Sequence, residues 1–230
     1  MSEQFRQVAV LFARTDSIYK QLPGCDVWDI ERDARKWPGG CPVVAHPPCR
    51  AWGRLRHFSK PRHDEKELAL FAVDKVRLFG GVLEHPTAST LWAAANLPRP
   101  GCGRDEFGGW SIQVPQFWWG HRAMKSTWLY IVGIEPRDIP AIPLVLGEAP
   151  CTVGLFSGRD RARCRKEISK AEREATPPDF AAWLCRVARG TSVGMHLPNS
   201  YSTDQRHPGA SREHGISGAG CTAFSAGASR

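Results

Sequence analysis

Two residues of the chain have the types and the setting to do chemistry together. Cys49 lies in "VVAHPPCRAWGRL", directly behind a double proline that ends a short apolar run. Proline lacks the N–H that a sheet ladder needs, so Pro42–Ala45 reads as a buried strand and Cys49 as a residue on a stiff loop at its carboxyl end. Glu84 occupies the tip of a second apolar run, "GVLEHP". A thiolate paired with a carboxylic acid, with no histidine–acid relay legible in the spacing, suits attack on a ring that must be protonated elsewhere as it is attacked. Cytosine is such a ring: sulfur adds to carbon 6, the carboxyl group binds and protonates N3, and carbon 5 becomes nucleophilic enough to take a methyl group from an activated donor. That role predicts a raised pKa for Glu84, with Val82 and Leu83 supplying apolar burial.

The elements around them must bring the two groups to one place. "QVAVLFA", Gln7 to Ala13, "DVWDI", Asp26 to Ile30, "CPVVAH" and "GVLEHP" read as strands. Between the last two, Leu68, Ala72, Val76 and Phe79 recur at helical spacing, with Asp64 and Glu65 at the helix's positive end and Gly80 and Gly81 to stop it. Strand, helix, strand is a βαβ unit, and its right-handed crossover sets Cys49 and Glu84 at the same edge of a parallel sheet. A Gly/Pro-rich loop runs from Leu97 to Gly109, "TWLYIVGI" is a further strand, and "TPPDFAAWLCRVAR" is an amphipathic helix with Thr176 as its N-cap. The pattern predicts an α/β fold of Rossmann-like type with a mostly parallel sheet over residues 1–189. Residues 190–230, rich in Gly, Ser, His and Thr, read as a disordered tail.

Composition sets the outer limits. The formal charge is +8, which favours a polyanionic partner, nucleic acid above all. No apolar run approaches the ~20 residues of a membrane span, and "MSEQFRQ" has no signal-peptide layout, so the expectation is a cytoplasmic protein with no membrane partner. The eight cysteines contain no Cys-x-x-Cys pair, and His46, His57, His63 and His85 fit no ligand spacing, so no metal is expected. Arg50, Arg54, Arg56, His57, Lys60 and Arg62 form a basic loop behind Cys49, readable as phosphate contacts or as a solvated loop; the Arg159–Arg173 run has the same two readings. Trp118–Trp119 reads as packing ahead of base stacking.

With these residues in view, the chain resembles the DNA (cytosine-5) methyltransferases over roughly Val8 to Arg189. "AHPPC" is similar to the family's Pro-Pro-Cys catalytic loop, and "VLEHP" to its Glu-Asn-Val strand, with His85 and Pro86 in place of Asn and Val. "VLFA" is similar to the first S-adenosylmethionine motif, "VPQFWWGHRAMKSTWLYIVG" to the Gln/Arg segment and the strand after it, and "SKAEREATPP", more distantly, to the stretch before the final helix. The nearest likeness is to small phage-borne members. The resemblance implies Cys49 as nucleophile and Glu84 at N3. It implies S-adenosylmethionine held by Phe12, Ala13, Pro47 and Asp29 or Asp33, and a cytosine-containing DNA substrate contacted by Pro48, Arg50, Arg54, Gln116, Arg122 and Lys125.

The chain also departs from that pattern. "RTDSIYK" stands where the family has glycines, and one acidic donor-binding motif stands where it has two. Between Gly133 and Thr176 there is no room for a full target-recognition domain, which predicts slight sequence specificity or specificity supplied by another protein. Two alternatives therefore stay open. One is carbon-5 modification of a free pyrimidine nucleotide. The other is a catalytically inactive descendant that binds DNA or a host protein, for example as an anti-restriction factor.

Overall fold

A computed structural model describes residues 6–154 and 166–192. The chain divides into units at Met195 and His196, and the second unit lies wholly outside the described residues, as do positions 193–230 of the expected tail and positions 159–165 of the basic run.

The strands are β1 Val8–Leu11, β2 Cys25–Trp28, β3 Val43–Ala45, β4 Gly81–Pro86, β5 Trp110–Pro115 and β6 Ser126–Val132. They form one six-stranded sheet in the order β2-β1-β3-β4-β6-β5. β2, β1, β3 and β4 run parallel, whereas β6 is antiparallel to both β4 and β5. The sheet is therefore mixed but mostly parallel, as the sequence predicts: β6 alone is reversed, and β5, antiparallel to it, runs the same way as β4. Strand β5 is the element the sequence does not announce: "WSIQVP" follows a Gly-rich loop and ends in proline, so it carries little strand signal alone, and pairing with β6 supplies what local propensity does not.

Alternation along the strands sends side chains to two cores. Val8, Val10, Val44, Val82 and Ile131 face the helix α4, Pro178–Arg189, which buries Phe180, Trp183, Leu184 and Val187. Ala9, Leu11, Val43, Ala45, Leu83 and Tyr130 face α1, Glu65–Phe79, through Ala69, Ala72, Val73 and Val76. Helices thus cover both faces, which is why the central strands read as continuous apolar runs. Trp119 belongs to the first core, with its ring 4.8 Å from Phe180 and 5.0 Å from Trp183.

Gly81 has φ +120, and a Cβ there would run into the Val43 carbonyl, so close pairing of β3 with β4 demands glycine at that position. Pro177, not Thr176, occupies the cap position of α4, whose proline-preset first turn makes no side-chain cap. Packing continues past Arg189: Thr191 is buried, and Ser192 N–H donates to the Gly133 carbonyl at 2.7 Å. The remaining elements are the short helix α2 Leu91–Ala94, a two-stranded ribbon of β7 Cys151–Thr152 with β8 Lys166–Glu167, and α3 Lys170–Glu174. No helix among the described residues is long and apolar enough to cross a membrane.

Candidate active site at the carboxyl edge of the sheet

Strands β3 and β4 pair in parallel through Ala45 and Leu83, and the chain leaves the sheet on the same edge in both. His46 and Glu84 stand one step beyond that last pair. After His46 the two prolines turn the chain, and the Cys49 carbonyl accepts from Trp52 N–H at 3.0 Å and Gly53 N–H at 2.7 Å, which fixes the turn that presents the cysteine. Cys49 itself is exposed at the surface. Protein packed around the thiol pushes its pKa up, the negative charge of Glu84 adds to that, and the Lys125 ammonium pulls the other way. Thiol, carboxylate and ammonium are thus close enough to feel one another.

Glu84 is surrounded by donors. Its side chain is 13% exposed. Oε2 lies 3.0 Å from His46 Nδ1, while Oε1 accepts from Gln116 Nε2 at 3.2 Å and from the Thr127 hydroxyl. Burial alone would raise the carboxyl pKa. The His46 hydrogen bond, the Lys125 charge and the Thr127 hydrogen bond outweigh it, and Glu84 is held at about 2. This overturns the expectation of a raised pKa: the apolar neighbours are present, but the donors arrive from other elements. Beside it His85 is fully buried, its pKa lowered to about 4 chiefly by desolvation, with Glu84 and the Pro48 carbonyl opposing. Neither His85 nitrogen makes a hydrogen bond of normal geometry, and Gln116 Oε1 is buried without a partner.

Lys125 and Gln116 are delivered together by the mouth of the β5–β6 hairpin, where Gln116 N–H donates to the Lys125 carbonyl at 2.8 Å. Burial lowers the Lys125 pKa, against the opposing charges of Glu84, Cys49 and Glu174. Arg122 does not join this group. Its guanidinium forks onto Glu172 of α3 at 2.7 and 2.6 Å. Arg54 is exposed on the turn after Cys49, and Arg50 clamps the buried Glu65 at the start of α1.

A cleft of about 300 Å³ opens beyond the ends of β1, β2 and β3, lined by Phe12, Ala13, Asp29, Asp33, Pro48 and Arg50 among others. Pro47 is buried and does not line it. The chain passes from β1 to β2 on one side and returns to β3 on the other, so the cleft sits where the strand order reverses, the usual ligand position in open α/β sheets. Phe12 has φ 61, a left-handed conformation uncommon for a bulky residue, and its ring meets Phe71 edge-on at 6.2 Å. Asp29 is occupied by its own surroundings: Oδ1 accepts from Glu31 and Arg32 N–H groups, and Oδ2 pairs with Lys20 at 2.8 Å. Asp33 likewise accepts from the Arg35 backbone and guanidinium.

Sequence reasoning missed Tyr19, His46 and Thr127 as members of the site. One signal was available for His46: "VVAH" and "GVLE" are apolar runs that each end in one polar residue, and parallel pairing brings those two ends together. Among the described residues no group of three or more His, Cys, Asp or Glu side chains is arranged to hold a metal ion. No protein family, curated protein or solved structure matches the chain.

Proposed function

We propose that this protein is an S-adenosylmethionine-dependent methyltransferase acting on carbon 5 of cytosine in DNA, on a Rossmann-like fold. The observation that carries the reading is the grouping of Cys49, Glu84 and Lys125 at one sheet edge, with a separate cleft at the strand-order reversal. Two acceptors, the Glu84 carboxylate and the unpartnered Gln116 Oε1, stand near one cationic donor, Lys125. That set complements a cytosine carrying a proton on N3, which offers donors at N4 and N3 and an acceptor at O2.

In the reaction, the Cys49 sulfur bonds to carbon 6, and the electron pair of the carbon 5–carbon 6 bond becomes available at carbon 5. Seating the ring displaces part of the donor cage on Glu84; with fewer donors, burial raises the carboxyl and lets it share a proton with N3. After methyl transfer, loss of the carbon-5 proton to base and breakage of the carbon–sulfur bond restore the aromatic ring and the thiolate. The cleft suits the donor: its volume falls at the small end of ligand pockets, Phe12 gives an aromatic wall, and the Asp29 and Asp33 carboxylates retain lone pairs for hydroxyl groups. S-adenosylmethionine bound there would supply the methyl group. The loop behind Cys49 carries Arg54, Arg56 and Lys60 with no acid among them, while Arg62 at its end pairs with Asp64 at 3.3 Å, and at the centre of the loop Phe58 is 87% exposed. Cations around an exposed ring suit a phosphate backbone and stacked bases.

Carbon-5 chemistry on a free pyrimidine nucleotide is the second reading. It is favoured because the described residues between Gly133 and Thr176 hold only a short 3-10 turn, β7, β8 and α3. The test is covalent capture. DNA containing 5-fluorocytosine, incubated with the protein and S-adenosylmethionine, is expected to form an adduct that maps to Cys49 by peptide mass spectrometry and is lost in Cys49→Ser. Capture of the free 5-fluoro nucleotide alone supports the second reading. An adduct that persists in the serine variant overturns both.

A further inference from the structure

Tyr19 is fully buried in the 3-10 turn Ile18–Gln21, on the connection between β1 and β2. Its hydroxyl lies 2.9 Å from His46 Nε2, and the other ring nitrogen, Nδ1, lies 3.0 Å from Glu84 Oε2. His46 is held from the backbone side as well, since its N–H donates to the Leu11 carbonyl at 3.0 Å. Three elements therefore meet in one line of hydrogen bonds that ends on the carboxylate.

Chemistry assigns the protons along that line. An ionised carboxylate only accepts, so Nδ1 carries a hydrogen. In the ring form with a single hydrogen, Nε2 is then a lone pair and accepts from the tyrosine. Burial, and after it the neighbouring acidic groups Cys185, Glu84 and Cys25, push the Tyr19 hydroxyl well above its usual pKa, so it keeps its proton. In that form the line runs from Tyr19 O–H to Nε2 and from Nδ1–H to Oε2, and Nδ1–H donates to the carboxylate whichever state the ring is in. Both imidazole nitrogens are used, which removes His46 as a base for the Cys49 thiol.

We infer that Tyr19 and His46 are positioning residues that hold Glu84 as an oriented anion, Tyr19 by selecting the His46 tautomer and His46 by donating to Oε2. As a statement about catalysis, this rests on the proposed role of Glu84. The other polar and titratable groups that face the carboxylate are Lys125 and Gln116 from the hairpin mouth, Thr127 from β6 and Cys49 from the turn after β3; His85, next on the strand, points to the opposite face and packs by Trp92. Of these, Lys125, Gln116 and Thr127 also favour the anion, so removing His46 shifts the balance without abolishing it.

The full-length chain, with carbon-13 in its glutamate carboxyls, provides the test. The Glu84 resonance is identified by its loss in Glu84→Gln. His46→Leu is expected to raise the Glu84 titration midpoint by roughly one unit or more, because burial then acts against fewer donors. His46→Asn, whose side-chain amide can take the place of Nδ1–H, is expected to restore most of the wild-type midpoint, and Tyr19→Phe to give a smaller rise than His46→Leu. A wild-type midpoint in folded His46→Leu overturns the inference, as does a folded His46→Asn as shifted as the leucine variant. Absence of any adduct from the wild-type protein overturns the methyltransferase reading instead, while the carboxyl titrations still decide whether the pair holds Glu84 as an anion.

Discussion

Among the described residues, the polar networks around Asp105 and Glu84 lie on opposite sides of the β4–β6 ladder, and they are finished differently. Around Asp105 the network is closed. Its Oδ2 accepts from the Tyr130 hydroxyl at 2.6 Å and pairs with Arg77 at 3.2 Å, while Oδ1 accepts from the Phe107 and Gly109 N–H groups. Arg77 spends a further donor on the Ala95 carbonyl at 2.9 Å. The network ties α1, the Leu97–Gly109 loop and β6 into one block. Around Glu84 the network is open, with Gln116 Oε1 buried without a partner and a cysteine and a lysine at its margin. A buried polar group without a partner costs roughly 1–3 kcal/mol. The closed network ties the fold together, and the open one leaves an acceptor that the proposed substrate would engage.

Substitution of the two acids should separate these roles. Glu84→Gln keeps the shape but turns one acceptor into a donor among donors, so it is expected to lower stability at neutral pH and, in the protein that remains folded, to lower the rate of 5-fluorocytosine capture by ~10²–10⁴-fold. An unchanged capture rate in the folded variant would erase the distinction between the networks. Asp105→Ala should act on the fold alone, costing about 3 kcal/mol in denaturant unfolding because it strands Arg77, while donor binding measured by calorimetry on the folded protein is preserved.

Acid should act on the two neighbouring positions of β4 in turn. His85 is neutral in the fold with a pKa of about 4 against an ordinary 6.5, so the unfolded chain binds the proton first and stability falls as the pH drops from 6.5 toward 4. Glu84, at about 2 against 4.5, contributes stability that is present above 4.5 and lost as the pH falls toward 2. Urea titrations are expected to show a loss on the order of 2 kcal/mol between pH 7 and 4, with a further loss below it that is smaller in Glu84→Gln, where only the other paired carboxylates contribute. The smallest effect is expected outside both networks: Phe58→Ala should weaken binding to single-stranded or base-extruded DNA by about 1 kcal/mol, read by fluorescence titration, with unfolding unchanged. Unaltered binding would remove the ring from the proposed DNA contact.

Much of this arrangement can be read before folding. Double prolines and paired glycines punctuate the strands around Cys49 and Glu84, and the helix between them announces itself by its apolar spacing, so the meeting of those residues at one edge follows from local signals plus crossover handedness. Three features do not. Strand β5 forms because β6 is there to pair with it. Arg122 is diverted by Glu172, distant in the chain but adjacent in the fold. Asp29 and Asp33, expected at the donor, do line the cleft, yet their carboxylates are engaged by Lys20, Arg35 and nearby backbone.

What the amino-acid order determined alone is which groups stand at the ends of which strands, because strand termination by proline and glycine is a short-range property of the backbone. The charge on Glu84 was decided only by tertiary structure. Its apolar strand neighbours call for a protonated acid, and His46, Gln116, Lys125 and Thr127, brought in from β3 and the β5–β6 hairpin, stabilise the anion instead. Burial is written into a strand's own residues, whereas the donors that outweigh it arrive only when separate parts of the chain converge.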